Sequence, residues 1–166
     1  PYIEQGNLFR QFQDKFGANT VGSEFVIELY LSPSDPTVPA NPTGITSYAA
    51  NAMVFQPYTK MTNTFLDGAS NTIAFAEHYA YCNDTETSWY ERKDWEFVLP
   101  PNFGDPSVRV IRRATFADKA LGDVYPSDPA NPPTLTFQVH PKKSECNPKL
   151  PQTPHSGGMI VALADG

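Results

Sequence analysis

The chain has 166 residues, 40% of them hydrophobic, a formal net charge of −6 and 17 prolines. That length suits one domain over 1–166, and the apolar content supports a real core, which excludes disorder throughout. Lys and Arg occur at most as doublets, among them Arg112–Arg113 and Lys142–Lys143. That excludes a nucleic-acid surface, which needs a concentrated basic stripe, and no run approaches the ~20 apolar residues of a membrane span.

Proline is about twice its usual ~5% share. It ends helices and is kept out of central strands, so the expectation is short elements joined by long, stiff loops. Residues 7–16 predict a short amphipathic helix: Asn7 can cap it, Leu8, Phe9, Phe12 and Phe16 share one stripe, and Gly17 stops it. Residues 24–31 predict a strand that ends at the turn-forming run 32–36, and 35–44 is a loop. Residues 45–55 predict a second strand. Residues 62–71 predict a turn or one helical turn, because Asp67-Gly68 and Ser70-Asn71 favour local side-chain-to-backbone bonds. The clearest strand is 72–82. Weaker strands are expected at 89–98, 107–116 and 134–140, and the last at 158–164.

Alternation in two strands divides a bulky face from a small one. In 72–82, Ile73, Phe75, Glu77, Tyr79 and Tyr81 face one way, and Ala74, Ala76, His78 and Ala80 the other. In 158–164, Met159, Val161 and Leu163 oppose Gly158, Ile160, Ala162 and Ala164. A small face lets another element approach closely. The expectation is a helix packed there and an α+β fold.

The two cysteines, Cys82 and Cys146, have no CxxC or His/Cys cluster around them. An even count in a loop-rich chain favours a disulfide and an oxidising compartment over two unrelated buried thiols. Across 64 residues such a bridge contributes about 4 kcal/mol in the chain-entropy model. The chain begins at Pro1, without Met or signal peptide, which reads as a processed or trimmed product.

The C-terminus reads HSGGMIVALADG: His155, nine residues, then Asp165-Gly166. Other segments fall in a matching order: PYIEQGNLF (1–9), SPSDP (32–36), SYAANAMVF (47–55), DGASNT (67–72), IAFAEHYA (73–80) and CNPKLPQTPHSGG (146–158). Together they resemble the bacterial prepilin-type, processing-associated family named for its His-x9-Asp-Gly signature, which also carries a solute-binding-protein label. The resemblance is dispersed over essentially the whole chain. It implies a pseudopilin-like antiparallel sheet with a short helix and long Pro-rich loops. It also implies a prepilin leader and a hydrophobic N-terminal helix, absent from these residues, that anchors the full-length form in the membrane and covers the small sheet face. Members usually continue past Asp-Gly with a further strand. They often carry Cys where this chain has Ser32, which leaves Cys82 and Cys146 to pair with each other.

Catalytic constellations are sparse. His155 and Asp165 lie ten residues apart, and an extended segment of that length spans about 33 Å, too far for an acid–base pair. The signature therefore reads as structural. His155, Gly157 and Gly158 lead into the strand, and Asp165-Gly166 makes a tight turn needing positive φ. GxSxG, HExxH and phosphate-binding glycine loops are absent. His78 and Glu77 should point to opposite faces, and His140 lies in a Pro-flanked loop, so zinc is not expected. Calcium is the better metal candidate, through Asp67, Asn71 and Asp84 with Ser70, Asn83 and Glu86 nearby. Against it stand an Asx turn at Asp67 and a solvated acidic loop at 83–86. Glu77, if buried, needs a partner such as Arg109, Arg112 or Arg113.

The expected function is a non-enzymatic, extracytoplasmic structural or assembly subunit without a cofactor, associating with like subunits or a surface filament. The alternative is an extracellular glycan- or solute-binding module that uses Tyr79, Tyr81, Trp89, Tyr90 and Trp95. An enzyme ranks last.

Overall fold

The structure is a computed structural model, and it describes residues 6, 7, 10, 25–55, 65, 68–89, 110–117 and 137–166. Among these residues the fold is mixed, mostly sheet, and its helical content is short. The strands are β1 (Tyr48–Asn51), β2 (Ile73–Glu77), β3 (Tyr81–Cys82), β4 (Thr85–Ser88), β5 (Val110–Arg113), β6 (Thr115–Phe116), β7 (Gln138–Val139), β8 (Gln152–Thr153) and β9 (Val161–Leu163). They form a four-stranded sheet in the order β6-β1-β2-β9, a three-stranded sheet β3-β4-β5 and a pair β7-β8.

Several expected strands shorten, for a common reason. The 72–82 segment is β2 up to Glu77, breaks over 78–80, and resumes as β3 in a different sheet. The 107–116 segment likewise splits at Ala114 into β5 and β6, which serve different sheets. Both breaks let one piece of chain join two sheets. The 24–31 strand does not form among its described residues: Glu28–Tyr30 is a single 3-10 turn. Its backbone meets no strand edge. Instead Phe25 O accepts from Gly44 N–H and Tyr30 O from Ser47 N–H. The residues 83–86, expected as a solvated acidic loop, are a two-residue hairpin. Asn83 and Asp84 take positive φ (46° and 61°) between β3 and β4, a conformation Asn and Asp tolerate best after glycine. Gly68 opens a 3-10 turn over Ala69–Asn71, in keeping with the turn expected there. Of the 7–16 helix only Asn7 and Arg10 are described, both helical. Asp67, Tyr90, Trp95, Arg109 and nearly all of 89–98 lie outside the described residues.

The small face of β2 is the inner one. Ala74 and Ala76 are buried, and Ala76 clusters with Ala49 and Phe116, backed by Ala117 and Met159. Ala49, Ala76 and Phe116 thus lie side by side on one face of the four-stranded sheet, with Met159 packed against them. The bulky residues Ile73 and Phe75 face outward at 38% and 45% exposure, with Phe55 stacked on Phe75 at 5.1 Å. Cys82 and Cys146 form a disulfide, packed with Tyr79 into a second buried cluster.

Candidate functional site

The break after β2 leaves the backbone N–H groups of 78–81 without a strand partner, and a buried amide must be paired. Three separate segments supply the acceptors. His78 N–H donates to Ser47 O at 2.9 Å. Tyr79 N–H donates to Gln152 Oε1 at 3.0 Å. Ala80 N–H donates to Asp35 Oδ2 at 2.8 Å, and Tyr81 N–H to Thr37 Oγ1 at 3.1 Å. Side chains from distant loops therefore stand in for a strand across this break.

Asp35, from the SPSDP run, is buried and its oxygens are fully engaged. Oδ1 accepts from the Thr37 N–H and hydroxyl at 2.8 and 2.7 Å, and Oδ2 also accepts from the Ser47 hydroxyl at 2.7 Å. Gln152 is completely buried, and its amide donates to the carbonyls of Asn147 and Leu150. Gln152 is thus one of several side chains that fasten the 147–153 segment to the sheet.

Glu77, at the end of β2, is 3% exposed. Its Oε2 accepts from the Thr153 hydroxyl at 2.8 Å and from Ile160 N–H at 3.0 Å. Its Oε1 lies 3.2 Å from Nε2 of His155, whose side chain is 39% exposed. The expected arginine partner is therefore replaced by a histidine and two neutral donors. Arg112 instead donates through Nη1 to Thr115 O at 2.6 Å and Pro148 O at 2.8 Å. Sequence reasoning missed the pair because 78 residues separate Glu77 from His155, and only the loop running back from β8 brings them together.

His78 follows Glu77 and is fully enclosed. Its Nε2 meets Pro148 O at 3.0 Å, and its Nδ1 meets the Thr87 hydroxyl at 3.1 Å and Tyr79 O at 2.8 Å. Both ring nitrogens face a carbonyl, the neutral ring donates to only one of them, and the Thr87 hydroxyl donates to Tyr79 O at 2.9 Å. Burial, reinforced by the Arg112 guanidinium, pushes His78 down from 6.5 to about 4, against the opposing pull of the two carbonyls and Asp35. His78 is therefore neutral at pH 7. Burial, with the Asp35 and Glu77 carboxylates, raises the Tyr79 phenol above its ordinary value.

The signature's two ends stand apart in their contacts. Asp165 is exposed in a turn closed by Gly166 N–H to Leu163 O at 3.3 Å, with Gly166 at φ 99°. Gly157 and Gly158 lie in the exposed approach to β9, where Gly158 (φ 147°) returns its carbonyl to the Thr153 hydroxyl. His140 is exposed, with its N–H on Thr153 O. Among the described residues no group of three or more His, Cys, Asp or Glu could hold a metal ion. Of the calcium candidates, Asn71 ends the 3-10 turn and Asp84 sits in the β3–β4 hairpin. Tyr79 is buried, Trp89 is half-buried edge-on to Tyr30 at 6.0 Å, and Tyr81 is half-buried beneath the Lys143 ammonium.

The arrangement is a scaffold of polar contacts. Asp35, Ser47, Glu77, His78, Gln152, Thr153 and His155 come from four of the dispersed sequence segments, and they meet around one chain break. His155 beside a carboxylate is the one exposed acid–base pair in it. No family model, no curated protein and no solved structure matches the chain.

Proposed function

We propose that this chain is the body of a non-enzymatic, extracytoplasmic structural subunit of prepilin or pseudopilin type, which associates with copies of itself. One observation carries the reading. The chemically capable side chains of the signature segments are committed to holding the fold: Asp35 and Glu77 accept from buried neighbours, and His78 is enclosed between loops. The Cys82–Cys146 disulfide supports an oxidising compartment. Among the described residues no helix is long and apolar enough to cross a membrane. Membrane attachment in this reading belongs to a segment outside them.

The outward face of β2 supplies the association surface. Ile73 and Phe75 are 38% and 45% exposed there, with Phe55 packed on Phe75, and apolar exposure of this kind marks contact surfaces. Sedimentation velocity over two decades of concentration tests the reading. Oligomers that dissociate on dilution, and that Phe75→Glu reduces to monomer, are expected. A chain that stays monomeric throughout, or a chemical turnover abolished by His155→Ala, would reject it.

A further inference from the structure

We draw no further inference here: the strongest candidate, the edge of β9 that faces away from β2 at the end of the four-stranded sheet, carries nothing because nothing in the structure shows what covers it.

Discussion

Glu77 shows how a single carboxylate can organise a segment. It is buried, and the groups around it are all donors: a hydroxyl, an amide and an imidazole. Glu77→Ala leaves the hydroxyl and the amide inside without an acceptor. It should cost about 3–5 kcal/mol in urea unfolding, the range for breaking a buried charged contact. His155→Ala removes the partner that is 39% exposed, and should cost under about 1 kcal/mol, because solvent screens that contact. Equal losses would mean that the ion pair, not the two neutral donors, holds the loop. His78 adds a pH dependence whose sign follows from its burial. Its folded value of about 4 lies below the unfolded 6.5, so the unfolded chain takes up the proton first. Its contribution is fully present above pH 6.5. It falls progressively toward pH 4, by about 3 kcal/mol at ~1.4 kcal/mol per pH unit. Denaturant melts across that window should show the slope, and a His78→Gln variant that folds should lack this one-proton contribution. A His78 imidazole resonance titrating near 6.5 in the folded protein would contradict the assignment.

At the scale of elements, the β3–β4 hairpin and the disulfide make separable predictions. Asp84 has φ 61°, so Asp84→Gly should leave stability level or raise it by a few tenths of a kcal/mol. Asp84→Val should cost about 1–2 kcal/mol, because a β-branched residue resists that conformation. Reducing Cys82–Cys146 should cost about 4 kcal/mol by the chain-entropy argument, read as a lower denaturation midpoint in reductant. Amide exchange should quicken first at Asn83, whose N–H is bonded to the disulfide-bearing turn. The elements also mark how far the sequence could be read. The 72–82 run was visible as a strand because Ile73 to Glu77 alternate, yet nothing in its alternation marks the break at 78–80. That break exists because Asp35, Thr37, Ser47 and Gln152 offer acceptors, and those residues are distant in the chain. The four-residue strand β4 escaped notice because Thr85–Ser88 is polar. Its burial comes from β5, which pairs with it in parallel from across a long connection.

For the whole molecule, the small alanine face turned inward and the bulky face outward. The division into faces was legible from alternation, but the sense of the faces was not. Ala49, Ala76 and Phe116 sit on neighbouring strands of one sheet, where the two alanines leave room for the Phe116 ring. That arrangement leaves Phe75, Phe55 and Ile73 exposed. The Phe75→Glu comparison under Proposed function belongs to this scale. A cleft beside Lys143 also exists only at this scale, since residues 39–45, 81, 86 and 143 are brought together by the disulfide, the hairpin and backbone bonds at Gly44, Ile45 and Asn83.

By itself the sequence determined what short-range rules can fix: proline-punctuated short elements, alternating strands, turns at glycine, and a disulfide from a lone pair of cysteines. Tertiary structure alone decided which acceptors serve the 78–81 amides, that His155 meets Glu77, and which sheet face is inside. The physical reason is that hydrogen-bond satisfaction of a buried group depends on which distant loop arrives beside it, and local pattern carries no record of that arrival.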